Sequence, residues 1–247
     1  MKTLLQLLTI LLLLSCSRRE SNNDAPPQLI AHAGGAVDSC VYTNSREALE
    51  KACEQGYRFI EFDLLFTSDS VLVAAHSWGD FNLMTGFVHY GDSVPTYAEF
   101  SKRKIYDRYT PIGASEINAF FESHDSLYLV TDKVSDPNVL QRYFPNLKER
   151  MVVEAFNYEH YSRLKSQGYY RVLYSCMADD LSTALLQNAS SIEWIALHTS
   201  AFDNATFKLI TTFLEFNIAL FTVDDIELVP EKYRSAVKML YTNYIQP

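Results

Sequence analysis

Short apolar runs of strand length alternate with stretches of helical periodicity from Gln28 almost to the end of this 247-residue chain. That alternation constrains the fold most, because strands buried on both faces read as continuous apolar runs and parallel neighbours need a crossover. Strand-like runs fall at 28–31, 59–66, 71–75, 127–132, 151–155, 171–175, 194–197 and 218–222. Helical stretches lie around 44–56, 115–123, 138–149, 158–167, 179–188, 203–216 and 225–237. Eight strand runs with helices between them predict an α/β fold, a (β/α)8 TIM-type barrel in one domain over 28–247. An open, doubly wound sheet is the alternative, and the lack of a Gly-rich loop after any strand counts against it.

With 48% apolar and 21% charged residues, the chain can bury a large core and is not intrinsically disordered. Its formal net charge of −9 argues against a nucleic-acid partner, which needs clustered Lys and Arg. A phosphate-bearing substrate remains compatible, since a bound cation can supply positive charge.

The apolar run from Leu4 to Leu14 is too short to span about 30 Å of hydrocarbon but fits a secretory signal core. It ends in Leu13-Leu14-Ser15-Cys16, which resembles a bacterial lipobox. That resemblance implies a signal peptide over 1–15, acylation of Cys16 and a polar tether over 16–27. The protein would then be a membrane-anchored lipoprotein of a bacterial cell envelope; an ordinary signal peptide is the other reading. Export implies an oxidising compartment, yet only Cys40, Cys53 and Cys176 follow Cys16. Cys40 and Cys53 could pair if the intervening segment folds back, or stay as buried thiols. The spacings give no zinc pattern.

Chemistry gathers near the N-terminus. In Ile60-Glu61-Phe62-Asp63-Leu64, strand alternation puts Glu61 and Asp63 on one face, about 6.6 Å apart. Two carboxylates there are costly unless protonated, paired or holding a cation, and a hard divalent ion such as Ca²⁺ or Mg²⁺ suits such oxygens. Only Thr67-Ser68-Asp69-Ser70 separates the next run, so the two form a hairpin. A two-residue Ser68-Asp69 turn would place His76 opposite Glu61. His32 ends the first strand before Gly34-Gly35. Asn44 reads as the cap of the first helix, with Glu47 reaching back. Residues 77–112 form a long aromatic insertion of the kind that makes a lid or substrate wall.

His32-Ala33-Gly34, Thr43-Asn44-Ser45, Glu61-Phe62-Asp63 and Thr67-Ser68-Asp69 followed by His76 resemble the glycerophosphodiester phosphodiesterase family. Phe221-Thr222-Val223-Asp224 and Tyr241-Thr242-Asn243-Tyr244 resemble its closing motifs. The resemblance implies a TIM-type barrel, one divalent cation, and hydrolysis of a glycerophosphodiester to glycerol 3-phosphate and an alcohol. His32 and His76 become the acid/base pair, and Glu61 and Asp63 metal ligands. In that family the substrate's glycerol hydroxyl attacks phosphorus, and water opens the cyclic phosphate.

The third ligand falls in Val130-Thr131-Asp132-Lys133, at Thr131 or Asp132 according to alignment; the carboxylate favours Asp132. Lys133 would approach the phosphate. Glu154 would be a further ligand or a substrate hydrogen-bond acceptor. Asn44 and Trp78 join the substrate-binding set, with Trp78 and the aromatic insertion facing an acyl or sugar group. Ala33 stands where the family pattern has Arg, which implies a different or bulkier headgroup. The alternatives are a phospholipase-like enzyme acting on a lysolipid or another diester, and a weakened barrel that binds lipid headgroups or envelope glycans.

Overall fold

The computed structural model describes residues 26–176, 188–205, 207–208 and 216–247. Strand β1 (Gln28–Ala31) pairs in parallel with β2 (Phe59–Phe66) on one side. On its other side it pairs with the last strand, and this closes the sheet into a barrel. The short β3 (Leu72–Ala74) is antiparallel to β2 and stands outside the closure. Strands β4 (Tyr128–Asp132), β5 (Met151–Ala155), β6 (Arg171–Cys176), β7 (Trp194–His198), β8 (Asn217–Phe221) and β9 (Val237–Thr242) complete it, each parallel to the next. The expected (β/α)8 barrel is therefore present.

Its membership differs in two places. The run at 71–75 is a hairpin arm rather than a barrel strand, and the eighth barrel strand is β9, where a helix over 225–237 was expected to end. A short apolar run cannot be told from a buried helix by periodicity alone. Here pairing to both β1 and β8 makes 237–242 a strand.

Helices α1 (Arg46–Glu54), α2 (Trp78–Met84), α3 (Tyr97–Phe100), α4 (Ala114–Glu122), α5 (Pro137–Tyr143), α6 (Tyr158–Ser166) and α7 (Glu231–Arg234) lie in the connections. Most of each of the stretches expected at 179–188 and 203–216 lies outside the described residues, as do residues 1–15, Cys16 and most of the tether. Among the described residues no helix is long and apolar enough to cross a membrane. Cys40 and Cys53 are free thiols, so the possible bridge between them is not formed.

Strand alternation fills the barrel from its floor. Ile30, Phe59, Val130, Val152, Leu173, Ala196, Ala219 and Met239, one from each barrel strand, pack together on the axis. Their neighbours Ala31, Ile60, Leu129, Val153 and Val172 belong to the larger core beneath the helices. Each large apolar side chain buried this way contributes roughly 1.5–3 kcal/mol. Farther along the same strands the inward positions become Glu61, Asp63, Asp132, Glu154 and Ser175. Apolar floor and polar mouth thus come from one periodicity, and the mouth is the C-terminal end where barrel active sites sit. The insertion after β3 packs a core of its own from Val73, Phe81, Phe100, Ile105 and Tyr109.

Candidate active site

In register across the sheet, Asp63 on β2 pairs with Asp132 on β4, and Phe62 with Thr131. Carboxyl oxygens of Glu61, Asp63 and Asp132 come within 4.8 Å of one another. Thr131 shares the outward face of Phe62, fully buried, with its hydroxyl unpartnered. Alternation therefore brings Asp132, not Thr131, to the cluster.

Asn44 holds this cluster in place. It is fully buried; its amide nitrogen donates to Asp63 Oδ2 at 2.9 Å, and its amide oxygen accepts from the Asp63 backbone N–H at 3.1 Å. The cap of α1 is not Asn44, as expected, but Ser45, whose hydroxyl accepts from Ala48 N–H. Glu47 does not reach back either, because its carboxylate accepts from the backbone N–H and hydroxyl of Thr110. At φ 47°, Asn44 adopts a left-handed conformation that Asn tolerates better than most residues, which frees its side chain for the two-point clamp.

Glu61 Oε2 accepts from the Ala33 backbone N–H at 2.6 Å, whereas the buried Oε1 has no partner. Burial, then Asp63 and Asp132, push the Glu61 carboxyl well above its ordinary range. Burial and Asp63 push Asp132 up to about 6 against the pull of Lys133. Lys133 Nζ lies 3.2 Å from Asp63 Oδ1 and 3.5 Å from Asp132 Oδ2. Burial disfavours that ammonium, but the two aspartates outweigh it and hold it above its ordinary range. One ammonium does not balance three carboxylates. An orphaned buried oxygen in an all-oxygen donor set fits a hard divalent cation.

The hairpin delivers His76 by a different route from the one expected. Leu64 pairs with Ala74 and Phe66 with Leu72, because the turn has three residues, Ser68-Asp69-Ser70, with Ser70 at φ 62°. That extra residue slips the register by one. Ala75 N–H still donates to the Asp63 carbonyl at 2.9 Å, and the chain bends away at His76. Ser77 caps α2, and Asp80 Oδ2 accepts from the Ser77 hydroxyl at 2.6 Å and lies 2.8 Å from His76 Nδ1. The Ser77 hydroxyl and His76 hold the Asp80 carboxyl below its ordinary range, so it is an acceptor. His76 Nδ1 must then carry the proton and donate, and Nε2 is left to work.

His32 Nδ1 lies 3.0 Å from Thr222 Oγ1, itself 3.3 Å from the Tyr42 hydroxyl. Tyr42 stands edge-on to both imidazoles, 4.7 Å from the His32 ring and 5.3 Å from that of His76 between centroids. Burial, opposed by Asp63, drives His32 down to about 4, so its imidazole is neutral at physiological pH. A cavity of about 560 Å³ opens beside it, lined by His32, Glu61, Asp132, Lys133, Glu154 and Tyr241 among others.

A family model described as the glycerophosphoryl diester phosphodiesterase family matches residues 32–216. The chain belongs to that family. No curated protein sequence matches it. Similar solved structures include a glycerophosphodiester phosphodiesterase from Parabacteroides distasonis ATCC 8503, 19% identical over 90% of this chain and 94% of its own, with TM-score 0.63. A Thermotoga maritima glycerophosphodiester phosphodiesterase is 16% identical over 90% and 96%, with TM-score 0.62. An Oleispira antarctica phosphodiesterase, solved with the product sn-glycerol-3-phosphate, is 18% identical over 89% and 94%, with TM-score 0.64. These likenesses show the shared barrel.

The protein is accordingly a phosphoric diester hydrolase. In this phosphodiesterase Trp78 does not line the cavity; its ring packs edge-on against Phe81 and Phe100, so its apolar surface serves the insertion's own core. Sequence reading missed Asp80, Ser175 and Tyr241. Asp80 was accessible in principle, since Ser77 and Asp80 sit at the spacing of a helix N-terminus directly after His76. Tyr241 enters only as part of a closing motif, because nothing local reveals that its hydroxyl reaches Glu154 across the barrel.

Proposed function

We propose that this protein hydrolyses glycerophosphodiesters to glycerol 3-phosphate and an alcohol, using His32 and His76 for proton transfer and Glu61, Asp63 and Asp132 to hold one divalent cation. The convergence of three carboxylates and two imidazoles on one barrel mouth carries the reading. The glycerol 3-phosphate bound to the Oleispira antarctica relative supports the substrate class.

When bound, Ca²⁺ or Mg²⁺ supplies Lewis-acid charge neutralisation at the non-bridging phosphate oxygens. The remaining work belongs to the chain. His32, held neutral by burial, takes the proton of the attacking hydroxyl. His76, braced at Nδ1 by Asp80, acts through Nε2 and delivers a proton to the departing alkoxide. Lys133 lines the cavity and presents its ammonium to the phosphate. Asn44 keeps Asp63 oriented towards the cluster.

The test is release of glycerol 3-phosphate from a panel of glycerophosphodiesters with Ca²⁺, with Mg²⁺ and with chelator. Metal-dependent release is expected; no release by folded, metal-binding protein would sink the reading. Asp80→Asn should lower kcat roughly tenfold or more, with KM little changed, because the amide no longer demands a proton on Nδ1. An unchanged kcat and pH profile would show that Asp80 does not position His76.

The lipobox-like Leu13-Leu14-Ser15-Cys16 supports acylation at Cys16, which tethers the enzyme to a bacterial envelope membrane. Loss of labelled fatty acid and release of the protein from membranes in Cys16→Ser is the expected result. Continued labelling would refute it.

A further inference from the structure

Glu154 has no part in that mechanism, yet it lines the cavity from the inward face of β5 and is only 5% exposed. It stands outside the group of three carboxylates whose oxygens converge. Its Oε1 accepts from the Tyr241 hydroxyl at 2.5 Å, and the Ser175 hydroxyl also bonds the carboxyl. Once ionised, the carboxyl offers about four acceptor positions, so two neutral donors leave capacity unused. Among the described residues no cation pairs with it, since the ammonium of Lys133 is placed on Asp63 and Asp132.

Its surroundings are aromatic. Phe156, Phe221 and Tyr241 line the same cavity, with Phe221 edge-on to Tyr241 at 6.1 Å between centroids. The Tyr241 ring also meets His32 at 5.8 Å, so this wall adjoins the reacting groups. A carboxyl group among aromatic rings is the donor set that recognises an ammonium ion, the acid by charge and the ring faces by cation–π attraction. The wall also has an excess of acid, with Glu61, Asp132 and Glu154 facing the one lysine.

We propose that Glu154, with Tyr241, Phe221 and Phe156, forms a subsite for the ammonium group of the leaving alcohol, and that the enzyme prefers glycerophosphodiesters with a cationic headgroup. The proposal rests on the diesterase reading above. Burial, and then Asp132, push the Glu154 carboxyl up to about 8, and an arriving cation acts in the opposite direction. A primary ammonium donates hydrogen bonds to the spare carboxylate positions; a quaternary one relies on charge and ring faces alone.

Calorimetric titration of the metal-loaded full chain with phosphoethanolamine, phosphocholine and glycerol 3-phosphate tests the subsite without turnover. The two cationic probes should bind roughly tenfold or more tightly than glycerol 3-phosphate. Glu154→Gln should erase that advantage while leaving glycerol 3-phosphate affinity unchanged. Tighter binding of phosphoethanolamine than of phosphocholine would identify hydrogen bonding as the larger contribution, and the reverse order would identify the rings. Tyr241→Phe keeps the charge and should keep the preference for cations; it serves as the second variant should Glu154→Gln fold poorly. Equal binding of all three probes by wild type overturns the subsite, as does equal loss of all three in Glu154→Gln. In parallel turnover assays, cleavage of all diesters without preference would reject the subsite and keep the diesterase reading. Selective binding of the cationic probes without any turnover would do the reverse.

Discussion

Metal-free protein carrying Glu61→Gln should melt higher than metal-free wild type at pH 8, and added Ca²⁺ or Mg²⁺ should no longer stabilise it. The Glu61 carboxyl is buried, one oxygen is unpartnered, and its neighbours are Asp63 and Asp132. Burial first, then those two charges, raise its folded-state pKa well above the ordinary value. Below the ordinary carboxyl range both folded and unfolded chains hold the proton, and nothing is lost. As pH rises through and beyond that range, the unfolded chain ionises freely while the folded one resists, so stability falls with pH. Asp132, raised to about 6, adds a loss in the same direction between its ordinary value near 4 and pH 6. Glutamine keeps the oxygen that accepts from Ala33 and removes the charge. The gain should be on the order of 5 °C, since about 1 kcal/mol moves the midpoint of a chain this size by roughly 2–4 °C. Wild type should recover that stability from the ion, since ligand at a hundredfold excess over its Kd contributes about 2.7 kcal/mol. Scanning calorimetry of both proteins, with chelator and with metal at pH 5 and pH 8, reads every term. A lower midpoint for Glu61→Gln in chelator, or an undiminished shift with metal, would show that Glu61 is not where the cation is held.

How much of this could be read beforehand follows from the range of the interactions involved. Alternation within one strand is local, so Glu61 and Asp63 were placed on one face correctly, and the same rule applied to β4 separates Asp132 from Thr131 once the register is known. The count of eight strands was right for a mixed reason. The link of four residues already makes 71–75 a hairpin arm, so it does not belong in the count, whereas β9 is told from a short helix only by its pairing with distant partners. His76 was singled out by a register argument that fails by one residue; its place at the site comes from the bend after Ala75 and from Asp80. Asn44 shows the limit of local rules most directly. Its type suggested a helix cap, and the chain uses it as a clamp on an aspartate nineteen positions away.

His32→Ala and His76→Ala should each lower kcat by about 10²–10⁴ on a natural alkyl diester, with cation affinity unchanged, because neither imidazole belongs to the carboxylate cluster. The two losses should be distinguishable by the leaving group. If His76 protonates the departing oxygen, a nitrophenyl diester, whose leaving group needs no proton, restores most of the rate to His76→Ala. The same substrate does little for His32→Ala, which lacks the base at the attacking side. The pH profile separates them again. His32 sits near pKa 4, so the limb that reports its protonation lies at or below pH 4, and a bound cation moves it further down. That limb should vanish in His32→Ala and persist in His76→Ala. The double variant should lose little more than the worse single one, since the two groups act on one transition state and their effects do not add. Full activity in either single variant would remove that residue from the mechanism. Equal rescue of both by the nitrophenyl substrate would instead exchange or merge their roles, leaving Asp80 to explain why only one imidazole is braced by a carboxylate.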